Sequence, residues 1–431
     1  MTFAFRRKKT HFSRESVAAR DTHTMKFIQI RRRWYDVGNF HHPGGSVIAT
    51  HAWSPDHPVD ATNAFEAFHF RSTKAHSVLS RLPSSPFPPL DTSDPASASH
   101  PASDPVEDGY GRLCGRLVSD GYFAPSLWHV AYRISTNACM WWAGSRVFAM
   151  QGPASSFAGM LILAVAYVQC GWIQHECGHG SFTCIPRIDR LLQLFYLNIL
   201  MGGNYRFWND QHFSHHANTQ NATHDKDLKT FPLVAFHELS LKGRGHTVFT
   251  RHQHRLYWWL INPLVWAVWS FASHPSFARR RNHVAEYATT KAISLSLFSL
   301  LVFPYHTCLQ SVALFHLTSL LGTALLLATF TVSHTTTDAY TRNKGWVRPA
   351  SEHTVNIADH WLTNWWMGYL NFQIEHHLFP TMPQFRQGEV GRRYTRPYFS
   401  EAGIPYTEKR FWRANADVYR SLKRVSLSRG E

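Results

Sequence analysis

Pairing is what the cysteines of this chain lack. Cys114, Cys139, Cys170, Cys177, Cys184 and Cys308 include no CxxC pair, and most lie in or beside apolar segments. That spacing argues against a disulfide framework or a zinc ribbon, and a reducing compartment fits. Acidic charge is also scarce: 28 Asp and Glu stand against 44 Lys and Arg, for a net +16 with histidine neutral. The first 33 residues are basic and polar and hold no apolar core segment, so no cleavable secretory signal is expected and any membrane targeting has to come from internal spans. No internal repeat of fixed period is visible.

What the chain does have is long apolar runs. Its mean hydropathy of -0.27 averages a polar front and tail with several such runs. A basic balance can mean nucleic acid, but beside these runs it points to anionic lipid at a cytosolic membrane face, and no nucleic-acid partner is expected. Residues 153–174, PASSFAGMLILAVAYVQCGWIQ, form 22 residues without a charge, enough at about 1.5 Å per helical residue to cross a hydrocarbon core of about 30 Å. Residues 128–149 form a weaker span, interrupted near its ends by Arg133 and Arg146, which can snorkel. Spans at 289–306 and 309–333 make a second hairpin. Two further apolar stretches, 191–203 and 256–273, are short or tryptophan-rich with polar flanks and read as interfacial or re-entrant.

Residues 84–109 open on a Pro- and Ser-rich run, so they read as a solvated linker between a small front module, 11–83, and a membrane domain, 110–431. With the front module in the cytosol, each hairpin returns the chain to that side, at His175 and again at His334. The short hairpin loops are nearly uncharged, whereas the segment between the hairpins carries Arg279, Arg280 and Arg281, as the positive-inside tendency requires. The sequon at Asn221 lies in that cytosolic segment and is expected to stay unglycosylated.

Histidine is abundant, 29 in all, and clusters at helical spacing. HECGH sets His175 and His179 one turn apart; HFSHH sets His212, His215 and His216 at i, i+3 and i+4; QIEHH does the same for Gln373, His376 and His377. With His334 at the end of the last span, the clusters supply eight imidazoles, too many for one ion and adequate for two. Imidazole suits iron, copper, nickel and zinc alike, so ligand type does not choose the metal. A soluble di-iron bundle would bring glutamates. Here Glu176 and Glu375 fall on neighbouring helical faces and do not point with the histidines. Cys177 faces away and reads as packing, Asn204 and Asp210 as loop hydrogen-bonders, and His224, His237, His252 and His254 as surface. Trp361, Trp365 and Trp366 read as interfacial anchors.

In the front module, WYDVGNFHHPGG (34–45) followed by DATNAFEAFH (60–69) resembles the haem-binding core of the cytochrome b5 family. The resemblance implies His42 and His69 as axial ligands of haem b, a bis-imidazole iron suited to one-electron transfer. His41 is taken as a surface neighbour, and Phe65 and Phe68 as pocket lining or plain core. The run Arg31, Arg32, Arg33 replaces the glycine-containing turn usual in that family, which bears on the local turn.

The three boxes, in this order and straddling the second hairpin, resemble those of the membrane fatty acid desaturases. Glutamine opening the third box, together with the front haem motif, is similar to the front-end subgroup. The resemblance covers about residues 11–425. It implies a mainly α membrane protein with four transmembrane helices in two hairpins, preceded by a small α+β haem domain. It implies two non-haem irons on His175, His179, His212, His215, His216, His376 and His377, with His334 matching a further ligand position. It implies O2 as co-substrate, an NADH-cytochrome b5 reductase as electron source, and an endoplasmic reticulum location with both termini and the metal site cytosolic. Gln373, where other subgroups carry histidine, is assigned to orienting a ligand or the substrate. The implied activity is insertion of a cis double bond between an existing one and the carboxyl end of a polyunsaturated acyl chain, Δ5/Δ6-type. A Δ8-type sphingolipid long-chain-base desaturase is the alternative; a membrane hydroxylase and a non-catalytic electron carrier rank below.

Overall fold

The computed structural model describes residues 26–52, 59–86, 104–150, 152–267, 281–302, 307–342 and 344–429. Arg279, Arg280 and most of the Pro/Ser-rich run lie outside the described residues.

At the front, strands β1 (Phe27–Ile30) and β2 (Arg33–Asp36) pair antiparallel. The two residues between them, Arg31 and Arg32, both adopt positive φ, 51° and 59°. That is the turn whose twist matches a two-residue hairpin, formed here without the glycine that usually makes it easy. Arg31 is held in it from outside: its backbone N–H donates to Thr62 Oγ1 at 2.7 Å and its Nε donates to Glu66 Oε1 at 2.8 Å. The sheet gains β3 (Ser84–Ser85) on β2, so its last strand uses the first residues of the expected linker. Ile28, Ile30, Tyr35, Val37, Ala61 and Leu79 form the core under it, closed by helices α1 (Thr62–His69) and α2 (Thr73–Leu79).

The next helix among the described residues is α3 (Pro105–Ser119), which begins inside the stretch read as linker. Asp104 accepts from Val106 N and Pro105 takes the first helical position, where its missing N–H costs nothing. Next come α4 (Leu127–Phe148) and α5 (Pro153–Gly178), the first hairpin. Then follows α6 (Tyr205–Ala217), capped by Asn204, whose Oδ1 accepts from the N–H groups of Arg206 and Phe207. The second hairpin is α7 (Arg281–Val302) and α8 (Cys308–His334).

Among the described residues, two helices are long and apolar enough to cross a membrane: Pro153–Gly178 and the stretch Leu309–His334 of α8. The other two helices sit where spans were expected but are more polar. Arg133 is buried on α4, and α7 starts eight residues earlier than its apolar run, which adds Arg281 and Glu286 to the Lys291 already in it. The stretches read as interfacial contain short π-helical turns, Leu194–Leu200 and Tyr257–Ile261.

The two long helices run parallel, and glycine sets how closely. A Cβ on Gly171 would lie 2.8 Å from Leu326 and one on Gly322 would lie 2.6 Å from Tyr167, so each glycine is the seat of a partner side chain. Thr323 Oγ1 also donates to Tyr167 Oη at 3.1 Å, and Phe330 meets His175 at 6.2 Å between ring centroids. Contacts 167 to 322, 171 to 326 and 175 to 330 share one register, which brings the histidine-bearing ends of the two helices to the same level. The third box lies on α9 (Gln373–Leu378), and α10 (Phe411–Leu427) closes the far side through Ala414, Val418 and Leu422.

Candidate metal centre

Eight histidines from four segments meet at one end of the long helices. The donor atoms of His175, His179, His212, His216 and His376 all lie within 4.8 Å of one another, as do those of His215, His334 and His377. The two groups adjoin, with the His216 and His377 rings stacked at 4.2 Å and the His376 and His377 rings at 5.6 Å. The helical spacings explain the assembly. On α6, His212 and His216 share a face toward the first group, while His215 is turned toward the second.

The donor set fits two metals. Nitrogens bound to one ion at about 2.0–2.1 Å stand roughly 3 Å apart when cis. His179 Nε2 is 2.9 Å from His212 Nε2, His216 Nε2 is 3.1 Å from the same atom, and His377 Nε2 is 3.2 Å from His334 Nε2. His175 Nε2 and His376 Nε2 are buried with no partner at all, as an inward-facing lone pair would be.

The opposite ring nitrogens are gripped from behind. His175 Nδ1 meets the Gln384 amide at 2.7 Å and His376 Nδ1 meets the Gln387 amide at 3.5 Å. Each of those amides has an otherwise unpaired Oε1, which an amide rotation would offer to the Nδ1–H. Thr219 Oγ1 lies 2.9 Å from His377 Nδ1, and Asp225 takes His215 Nδ1 with both oxygens, at 3.1 and 2.9 Å. Such contacts fix tautomer and ring orientation. His215, Asp225 and Asp227 also form a donor group of their own, but His215 meets it through the nitrogen facing away from the histidines.

Electrostatics follows the same division. Burial, then neighbouring imidazoles, pushes His212, His216, His376 and His377 well below the ordinary histidine range, which keeps them neutral as metal ligands must be. His215 is the exception. Burial pushes it down, but Asp225 and Asp227 outweigh that and lift it to about 9. With Nδ1–H held against the carboxylate, the proton a metal displaces is the one on Nε2, which then offers its lone pair.

Gln373 is buried and hydrogen-bonds the His334 side chain, which places it beside the three-histidine group. Glu176 points away to His129 Nε2 at 3.1 Å and to Gln384 N, and Glu375 to Asn356 and Tyr406. Asp210 pairs with Lys226 at 2.6 Å. Asn221 is buried, its Oδ1 accepting from Thr223 N and His224 N, so the sequon asparagine is spent within the fold. His254, read as surface, is instead buried on a helix with Nδ1 3.1 Å from Ser426 Oγ. The residues that sequence reasoning missed are Thr219, Asp225, Gln384 and Gln387. The carboxylates shortly after the second box were the one local signal; nothing local marks the glutamines.

In the front module, the His42 and His69 rings lie with centroids 6.0 Å apart and planes at 64°. Gly44 N–H donates to His42 Nδ1 at 3.0 Å, so Nε2 is the nitrogen left to bind. Roughly 6 Å is the separation two imidazoles keep when each nitrogen stands about 2 Å from one shared ion. Gly45 takes φ 77° and brings the loop against Asp210, a turn a side chain would strain. Phe65 lies inside the module, 5.1 Å from the His69 ring. Phe68 turns outward to Trp346, Phe213 and His216, so it does not line the module's own pocket.

A fatty acid desaturase family model matches residues 153–410. The chain is 35% identical over 411 residues to an acyl-lipid (8-3)-desaturase of Rebecca salina, covering 94% of this chain and 92% of the relative. It is 33% identical over 429 residues, 97% and 96% of the two chains, to an acyl-lipid (8-3)-desaturase of a Thraustochytrium species. A Delta(8)-fatty-acid desaturase of Euglena gracilis is 28% identical over 373 residues, 83% and 85% of the two chains.

Proposed function

From the premise that this chain belongs to the fatty acid desaturase family and is a membrane-associated desaturase acting on acyl lipids, we propose that it is a front-end desaturase. In this reading it places a cis double bond between an existing one and the carboxyl end of a polyunsaturated acyl chain, Δ5/Δ6-type. The observation that carries the chemistry is the convergence of eight buried imidazoles from four segments into two adjoining groups.

His175, His179, His212, His216 and His376 hold one iron, and His215, His334 and His377 hold the second. Desaturation chooses among the metals imidazole suits: zinc is redox-inert, and removing hydrogen from an unactivated methylene needs an oxidant. When bound, the iron pair supplies dioxygen activation that no side chain here offers. The chain's residues neutralise, orient and shield. Asp225, Thr219, Gln384 and Gln387 hold the ligating rings, Gln373 steadies His334 or the substrate, and the apolar helices lead the acyl chain to the metal edge.

His42 and His69 clamp haem b, residues 11–83 being the haem module, 84–109 the linker and 110–431 the membrane domain. An NADH-cytochrome b5 reductase reduces that haem. α4 and α7 complete four spans with α5 and α8, in the endoplasmic reticulum membrane with both termini and the metal site in the cytosol.

The test is lipid analysis of yeast expressing the protein, with and without C18 or C20 polyenoic acids in the medium. New double bonds on the carboxyl side of those in the fed acids are expected. If new unsaturation appears in sphingoid bases alone, the long-chain-base reading replaces this one.

A further inference from the structure

The haem module does not hang free of the metal centre; it is seated on it from both sides of the His42/His69 pair. On one side, the short helix Gly45–His51 lies against α6, with Asn218 Nδ2 donating to Thr50 Oγ1 at 3.1 Å. On the other, α1 is fastened by Asn63 Nδ2, which donates to Glu107 O at 2.9 Å and to its carboxylate at 2.7 Å, and by Thr381 Oγ1, which donates to Ala67 O at 3.1 Å.

Arg71, just past α1, joins three segments. Its guanidinium donates to Phe123 O and Gly180 O, each at 3.3 Å, and to Thr381 O. Gly180 follows the first box and Thr381 the third. No carboxylate is among these contacts, so the guanidinium reads backbone positions that exist only when the boxes are folded together.

Phe68 sits at the centre of this contact. Adjacent helical residues diverge by about 100°, so His69 faces the module's interior while Phe68 points out. The Phe68 ring meets His216 at 6.2 Å and 83°, Phe213 at 6.1 Å and Trp346 at 5.6 Å. One side chain and one peptide unit therefore separate His69 from a histidine of the five-member group.

We infer that Phe68 is the contact through which electrons leave the haem module for the metal pair, and that Arg71 is the positioning residue that holds this contact closed. The module then acts as a docked donor rather than a carrier on a loose tether. The inference rests on the reading of His42 and His69 as haem ligands. Each transfer oxidises ferrous haem to ferric and delivers one electron. Two such electrons, two solvent protons and the two hydrogens removed from the acyl chain reduce one O2 to two waters, and a flavin-dependent NADH reductase restores the ferrous haem.

The experiment uses the purified full chain. Haem and non-haem iron per chain are measured first, the haem is photoreduced, and its reoxidation is followed optically after mixing with oxygen and acyl substrate. With both contents unchanged, Arg71→Ala is expected to slow reoxidation roughly a hundredfold, the order by which fixed engagement exceeds free encounter. Phe68→Leu is expected to slow it as well, and Phe68→Tyr to restore it. Wild-type reoxidation in both Arg71→Ala and Phe68→Leu would overturn the inference. Independently of any variant's folding, a Thr50→Cys, Asn218→Cys disulfide should lock the seat and leave the rate at the wild-type value; a stalled haem in the locked protein also overturns it. A wild-type chain without haem is a separate outcome, since it removes the haem reading and this inference with it.

Discussion

Replacing Asp225 with asparagine tests whether the ring orientation seen at the metal centre is imposed from behind. Asp225 is fully buried, and its two oxygens serve three donors. Oδ1 accepts from Asp227 N at 2.9 Å, Oδ2 accepts from Gln220 N at 2.8 Å, and both take His215 Nδ1. Asparagine keeps the shape but turns one oxygen into an NH2, and either orientation of the amide sets that NH2 against a backbone N–H. One buried donor is then unsatisfied, at about 1–3 kcal/mol. The negative charge that favours an Nδ1–H on His215 is lost in the same change.

Loss of such a partner behind a ligating histidine typically weakens metal affinity about 10–100-fold, on the order of 1.4–2.8 kcal/mol. The two figures are of similar size but separate origin: the first is a fold-stability cost at a backbone N–H, the second a loss of metal affinity through the His215 ring. Iron retained per chain is measured after dialysis against graded chelator, for wild type, Asp225→Asn and Asp225→Ala. Loss of iron at lower chelator concentration is expected for Asp225→Asn, with a larger loss for Asp225→Ala, which removes the acceptor altogether. Iron retention in Asp225→Asn matching wild type across the series would refute the reasoning.

Two further predictions follow from the packing. Gly171→Val places side-chain atoms where Leu326 already sits. It is expected to destabilise the paired helices by about 1–3 kcal/mol and lower the thermal midpoint in detergent; an unchanged midpoint would mean the register is not set there. Arg32→Gly relieves a left-handed residue while leaving the Arg31 to Glu66 contact intact. It should stabilise the module by up to about 1 kcal/mol, read as slower hydrogen exchange in β1 and β2.

The features legible in the sequence are those set by short-range periodicity. The i, i+3, i+4 spacing of His212, His215 and His216 carries over directly, and so does the placement of His334 at the end of an apolar run. What periodicity could not reveal is how many partners each face has. Phe68 and Phe65 share a helix and a chemistry, yet one packs into the module and the other leaves it, because the surface that receives Phe68 is built from residues more than a hundred positions later. The same distance hides Gln384, whose ligand His175 is 209 residues upstream. That two of the four expected spans are more polar than the others has a simpler reason. An apolar window sees a run such as 289–306, whereas α7 begins at Arg281 and carries Arg281, Glu286 and Lys291 in its first half. For the triple arginine of the front turn, which departs from the glycine-containing turn of the resembled family, contacts made 31 and 35 residues away supply what the missing glycine would have.

The use of imidazole where a soluble di-iron protein uses glutamate follows from where the site is built. An ionised carboxylate taken out of water costs several kcal/mol unless matched, and eight donors gathered before any metal arrives would have to be gathered charged. Neutral imidazoles avoid that, and the one raised imidazole, His215, is matched by Asp225 and Asp227, so the ligand set can assemble as part of the fold. The buried carboxylates stand one layer back: Asp225 behind His215, Glu176 against His129, Glu375 against Asn356 and Tyr406. There they orient and partly balance the site without entering the two histidine groups. The remaining cost is the nitrogens left facing inward. His175 Nε2 and His376 Nε2 are buried without partners, and each costs about 1–3 kcal/mol while it stays so. A metal that accepts those lone pairs removes that cost on binding, so the folded chain is biased toward taking up metal by the strain of holding its ligands ready.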